Sequence, residues 1–233
     1  MKVYENPRVA AWATKKVIAR LERGEPDGRW HAHDIFRCLR HSYLSRLHPT
    51  EPDQETMMRW ALGYAMQEYF LGPEADSDEW HGILFSTDHR VGDDTLEFKT
   101  TTKSYEKFQK DGTKYLKDLP KVRFDPTENE HWVERLRGYC AFRGKPRAHI
   151  LVYFIHQKAL HAWTFEFDRA ELDASADIAE LNRTLLDSAW ERQSPPPVTT
   201  RLGPFECAFC PYYIDHCAGE LQRLGLPGTQ EEE

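Results

Sequence analysis

What this chain lacks narrows it first. No run of its 233 residues is apolar for long enough to cross a bilayer. The opening MKVYENPRVAAWATKK has no apolar core of the signal-peptide kind, so the expectation is a cytoplasmic protein without membrane partners. No G-x4-G-K-[ST] nucleotide loop occurs, so any strand unwinding has to come from elsewhere. There is no excess of positive charge. The net charge of −7 argues against a protein that coats nucleic acid, though it leaves room for a local basic groove. Cysteine is sparse: Cys38, Cys140, Cys207, Cys210 and Cys217 make an odd count of five, and a reducing compartment disfavours disulfides.

What is present gathers around residues 86–101, STDHRVGDDTLEFKTT. They read as two short strands joined by a tight turn at Gly92, the first ending near Asp88 and the second carrying Glu97 and Lys99. Strand side chains alternate, so Glu97 and Lys99 share a face while Phe98 takes the other. Two carboxylates and an amine can then meet at one sheet edge. Paired carboxylates repel unless a cation lies between them, and hard divalent cations favour such oxygens. A metal held there can activate water and offset charge on a phosphate, and an ammonium beside it can orient that water. The bland alternative is an exposed hairpin with solvated charges.

The remaining chain alternates helices and strands. Residues 7–23 read as an amphipathic helix, 31–47 as a second and 54–71 as a third, with its Met and aromatic residues expected in the core. Residues 72–80 read as an acidic loop. After Lys99 comes a basic stretch with Lys103, Lys107 and Lys110 interleaved with Tyr105 and Phe108, a composition that can follow phosphates and stack bases. Its alternative is a solvated charged face. Residues 127–143 read as a helix opened by a Thr127/Glu130 capping box and closed by Gly144. Cys140, on that helix, reads as a small buried apolar residue. Strands follow at 148–155 and 160–167, then a long helix over 169–192. Ser194-Pro195-Pro196-Pro197 is a stiff linker to the C-x2-C-x6-C cluster at 207–217, and 229–233 is a polar tail. Cysteines so close together read as metal ligands. Zinc and an iron–sulfur cluster both suit thiolates, and His216 is a competing ligand.

The order of these features resembles a known family. D-x8-E-x-K at Asp88, Glu97 and Lys99 resembles the core motif of the PD-(D/E)XK nucleases. Cys38-Leu39-Arg40-His41-Ser42-Tyr43-Leu44 resembles the C-x-R-x-x-Y-L segment of RecB-like iron–sulfur nucleases, and Gly63-Tyr64-Ala65-Met66-Gln67-Glu68 resembles their G-x3-H-E segment, with Gln67 in place of the histidine. Tyr139 matches the tyrosine of the family's Q-x3-Y helix, while Arg135 stands where glutamine is expected. Over roughly 31–217 the whole is similar to the CRISPR-associated exonuclease family and its phage and stand-alone relatives.

That resemblance implies an α/β fold, a restriction-endonuclease-like mixed sheet flanked by helices. It implies a helical segment over 1–53, a nuclease core over 54–193 and an iron–sulfur segment over 194–233. A [4Fe-4S] cluster on Cys38, Cys207, Cys210 and Cys217 would join the N- and C-terminal segments. Mg²⁺ or Mn²⁺ would lie on Asp88 and Glu97, with the Phe98 carbonyl and either Gln67 or Glu68. One residue turns a helix by about 100°, so Gln67 and Glu68 would not both face one ion. Lys99 would position water, with Tyr139 as a further catalytic residue. Lys103, Lys107, Lys110 and Arg135 would contact DNA. The implied activity is exonucleolytic trimming of DNA with single-stranded character, alongside CRISPR adaptation or recombination proteins. The other reading is a DNA-binding or assembly module whose nuclease site is weakened at Gln67 and Arg135.

Overall fold

The structure, a computed structural model, describes residues 7–18, 21, 28–72, 76–102, 129–198, 207 and 210–224. Helix α1 spans Pro7–Ile18 and is shorter than its amphipathic pattern suggests. The stretch expected as one helix over 31–47 is broken. It forms strand β1 (Trp30–His31), one turn of helix α2 (Ala32–Ile35) and helix α3 (Leu39–Leu47). Cys38 therefore sits at the N-cap of α3, with φ −59° and ψ 113°, and not within a helix. Side chains take over the carbonyls that the break exposes. Ser42 donates to the Asp34 carbonyl (2.9 Å) and Asn182 to that of Ile35 (2.9 Å), which makes the interruption cheap. Helix α4 (Gln54–Leu71) has the expected bounds, opened by Asp53 accepting from the Thr56 amide.

The expected acidic loop contains strand β2 (Asp76–Trp80), paired antiparallel with β3 (Ile83–Thr87) through a His81-Gly82 turn in which both residues have positive φ. An edge strand needs only its backbone ladder, so a sequence as polar as DSDEW can still form one. The two strands expected around Asp88 are likewise differently arranged. β3 belongs to one sheet, ordered β1-β3-β2. A short strand β4 (His89–Val91) forms the hairpin with β5 (Asp94–Thr101) in the other, which also holds β6 (Arg147–Phe154) and β7 (Ala159–Glu166) in the order β4-β5-β6-β7. Asp88 is the bend where the chain leaves one sheet for the other.

β5 and β6 are parallel, with helix α5 (Glu130–Arg143) in the crossover between them. Its N-cap is Asn129 without a side-chain cap, and Thr127 lies outside the described residues. Gly144 closes it in the left-handed conformation. On β6 Ala148, Ile150, Val152 and Phe154 are fully buried, and each of the three larger ones contributes about 1.5–3 kcal/mol. A one-residue slip would expose all four, which pins the register that sets β5 beside β6.

Helix α6 (Arg169–Glu191) buries Leu172, Ala179, Leu186 and Ala189 on one side. Beyond it lie helices α7 (Tyr213–His216) and α8 (Ala218–Arg223). Helix α5 acts as a wedge between two apolar clusters. Tyr139 and Phe142 pack with Trp30, Ile35, Phe85 and Tyr212, whereas Leu136 and Cys140 pack with the buried face of β6. Gly138 is where this wedge passes closest to Phe36: a Cβ there would stand 2.2 Å from the ring. Helix α4 departs most from expectation. None of its residues is buried, and Met58, Trp60, Leu62, Tyr64 and Tyr69 are exposed. It meets the sheet through Phe70, whose ring lies 5.9 Å from Phe98 and 5.3 Å from Tyr153. No helix among the described residues is long and apolar enough to cross a membrane.

Candidate active site

The site is built where the two sheets meet. In the β4–β5 hairpin His89 pairs with Leu96 and Arg90 with Thr95, across a turn in which Gly92 has φ +64°. Continued by one residue, this register sets Asp88 beside Glu97. β4 has ended there, so the free edge of β5 meets the Asp88 side chain: the Phe98 amide donates to its Oδ2 at 2.6 Å. A strand residue presents its N–H and C=O to the same edge, so the Phe98 carbonyl faces Asp88 as well. Glu97 and Lys99 share a face of β5, and the Lys99 ammonium donates to Glu97 Oε1.

These groups line a cavity of about 320 Å³ together with Gln67 and Tyr64 of α4, Arg135 and Tyr139 of α5, and His31 and His33. Sequence reasoning named all of these as site residues except Tyr64 and the two histidines. The HAH run was its only trace of the histidines, and without the parallel pairing of β1 on β3 nothing directs it at Asp88. Glu68 does not line the cavity; it lies on the exposed side of α4. Arg135, expected on DNA, donates to Glu97 Oε1. Lys103, Lys107 and Lys110 lie outside the described residues.

The electrostatics follow from burial and crowding. Burial, then the neighbouring Glu97 charge, pushes the Asp88 carboxyl up to about 6. Burial would raise Glu97 too, but Lys99 and Arg135 outweigh it and hold it below the usual carboxylate range. Burial lowers the Lys99 ammonium, whereas the Glu97 charge raises Arg135. Burial also raises Tyr139, which keeps its hydroxyl neutral. Both cations use one oxygen of Glu97. The other, Oε2, is buried and accepts no hydrogen bond. Such an orphaned acceptor costs about 1–3 kcal/mol.

Among the described residues, no three or more His, Cys, Asp or Glu side chains are gathered to hold a metal ion by themselves. Two carboxylates, a carbonyl and an amide oxygen are nevertheless a donor set that Mg²⁺ accepts, since it keeps several waters and takes few protein ligands. The orphaned Glu97 Oε2 fits that demand.

Away from the cavity, Cys38 and Cys210 are partly buried and Cys217 is buried. Burial raises the Cys217 thiol to about 11; Arg40 opposes this, and Cys38, Cys210 and Cys207 add to it. Arg40 pairs with Glu220 (2.5 Å) and the Tyr212 hydroxyl donates to the His48 carbonyl (2.8 Å), binding the C-terminal helices to α3. Cys140 is fully buried among apolar groups, its thiol pushed up to about 12.

No family model matches the chain, and no curated protein does. Among solved structures it is similar to SSO0001, at 14% identity and a TM-score of 0.48, over 89% of this chain and 95% of that one. It is also similar to a phage-related exonuclease from Haemophilus somnus 129PT, at 9% identity and a TM-score of 0.46, over 71% and 96% of the two chains. An alkaline exonuclease from Laribacter hongkongensis matches at 12% identity and a TM-score of 0.41, over 77% and 95%. All three TM-scores lie below 0.5.

Proposed function

We propose that this chain is a divalent-metal-dependent deoxyribonuclease that hydrolyses phosphodiester bonds at DNA ends. The observation that supports this most is the buried, unbonded Oε2 of Glu97, a residue that lines one cavity with Asp88 and Lys99. Asp88 and Glu97 would hold Mg²⁺ or Mn²⁺, with the Phe98 carbonyl and Gln67 completing the protein's share. The ion, when bound, supplies Lewis acidity toward water and the phosphate. Lys99 orients the attacking water and shields charge on the phosphate. The Tyr139 hydroxyl, kept protonated by burial, is a hydrogen-bond donor to a phosphate oxygen. Exonucleolytic end trimming in CRISPR adaptation or phage recombination is the context that the sequence resemblance suggests.

The same reading assigns Cys38, Cys207, Cys210 and Cys217 to one [4Fe-4S] cluster. Its role would be to fasten the C-terminal helices to α3, beside the Arg40–Glu220 pair. Anaerobically purified protein should be brown and carry iron and sulfide. Colourless protein carrying zinc would overturn the cluster and leave the nuclease reading standing.

A second reading has its own observation. Arg135 and Lys99 already bring two positive charges to Glu97, so the carboxylate is neutralised without a metal. The chain would then bind DNA or assemble with partners and not cut. Incubating single-stranded DNA with the protein and Mn²⁺ separates the two. Cleavage by the parent that is lost in Lys99→Ala, with the circular dichroism spectrum retained, supports the nuclease. No cleavage by the parent supports the module.

A further inference from the structure

We propose that Tyr64, at the cavity mouth on α4, stacks on an unpaired base of single-stranded DNA whose phosphate enters the cavity. This rests on the nuclease reading and adds to it the residue that selects single strands. The starting point is a helix that breaks the usual pattern. α4 carries Met57, Met58, Trp60, Leu62, Tyr64, Tyr69 and Phe70, yet buries none of them. A soluble helix normally turns its apolar stripe to the core.

The exposure is ordered with respect to the site. At about 100° per residue, Trp60, Tyr64 and Gln67 fall within a stripe of roughly 60°. Gln67 and Tyr64 line the cavity, and Trp60 lies about 6 Å further along the axis. The Tyr64 side of the helix thus leads from solvent to the carboxylates. Tyr64 is 64% exposed, and among the described residues its ring stacks on no other and its hydroxyl makes no hydrogen bond. Trp60 is 44% exposed.

The chemistry of the two neighbouring surfaces fits one strand of DNA. The cavity is lined by Lys99, Arg135, His31 and His33, groups that can meet a phosphate, while the helix beside it presents the ring of Tyr64. Every base has a π-face, so such a platform binds without regard to sequence. In a duplex those faces are already stacked on their neighbours, and Tyr64 has nothing to bind. A tyrosine at this place therefore favours single strands and frayed ends over intact duplex.

The test uses the full chain and a fluorescein-labelled oligothymidylate, with binding read by anisotropy in Ca²⁺ and cleavage followed in Mn²⁺. Tyr64→Ala should weaken single-strand binding about 5- to 100-fold. It should raise KM with kcat retained, as expected for a contact made equally before and during the reaction. Tyr64→Phe should restore binding, because the ring and not the hydroxyl does the stacking. Affinity for blunt duplex should not change, and a base-free deoxyribose-phosphate strand should bind parent and Tyr64→Ala alike. Two results would overturn the stacking role alone: a parent that cuts while Tyr64→Ala keeps the parental KM, or Tyr64→Phe as weak as Tyr64→Ala. A parent that neither binds nor cuts single strands overturns this proposal and the nuclease reading together.

Discussion

β5 carries two buried acids, Asp94 and Glu97, and they have been treated differently. Asp94 accepts from Arg147 Nε at 2.6 Å and lies 3.3 Å from His149 Nε2, both on the neighbouring strand β6. The Arg147 hydrogen bond holds its carboxyl below the usual range. At Glu97 both partners, Lys99 and Arg135, reach one oxygen, as both partners of Asp94 do, but the other oxygen of Glu97 is buried and accepts no hydrogen bond. A basic partner therefore does not separate the two carboxylates. What separates them is a buried, unmet acceptor on Glu97, kept at a cost in stability, in a residue that lines the cavity.

The sharpest way to break this comparison is to change one residue at each end of the strand. Lys99→Ala should cut the cleavage rate about 100- to 1,000-fold, the usual effect of removing one preorganised electrostatic group. Arg135 still pairs with Glu97 in that variant, so the fold should hold. Asp94→Asn should leave cleavage near the parental rate and lower Tm at pH 7. Its native pKa is depressed, so the stability it contributes is present above about pH 4 and lost as the pH falls. The Tm gap between parent and Asp94→Asn should therefore close in acid. If Asp94→Asn abolished cleavage, the division between the two acids would fail.

Asp88 extends the comparison with the opposite sign. Its native pKa is raised to about 6, so the folded chain holds that proton more tightly than the unfolded chain. Its stabilising contribution is complete below about pH 4 and lost as the pH rises through about 6. In chelator, Asp88→Asn should escape this loss and be more stable than the parent at pH 7, by up to about 3 kcal/mol. Mn²⁺ should raise the parent's Tm and leave that of Asp88→Asn unmoved. Thermal melts at pH 4 and pH 7, with and without the ion, measure both effects. A variant less stable than the parent at pH 7 would show that the carboxylate is satisfied, contrary to its environment.

How much of this was legible follows the range of the forces involved. The shared face of Glu97 and Lys99 needs only the two-residue period of a strand. The buried run of β6 and the bounds of α4 are equally local. Asp88 was legible as a residue but not as a bend between two sheets, because only the pairing of β3 with β1 and β2 reveals that. The break at 36–38 depends on Asn182, which lies far along the chain, to take up a carbonyl of α2. The exposure of α4 was invisible because apolar composition reads as core whether or not anything covers it. His31 and His33 escape a sequence reading because, like the bend at Asp88, their place at the cavity is set by a strand pairing.

The smallest expected effect bears on Arg135, the residue that separates the two functional readings. Its guanidinium donates to Glu97 Oε1 beside the Lys99 ammonium, and the Glu97 charge raises its pKa. A divalent ion drawn to Glu97 has to share that carboxylate with both. Arg135→Gln removes one competing charge, keeps a planar amide that can still donate to Oε1, and leaves Lys99 in place. The Mn²⁺ concentration for half-maximal cleavage should then fall about tenfold, equivalent to about 1.4 kcal/mol. Titrating the ion against cleavage rate for parent and variant measures it. An unchanged midpoint would mean that Arg135 orients Glu97 without competing for it. If the parent is inert and the variant cuts, then Arg135 is what turns a metal site into a neutralised pair, and the binding-module reading holds for the natural chain.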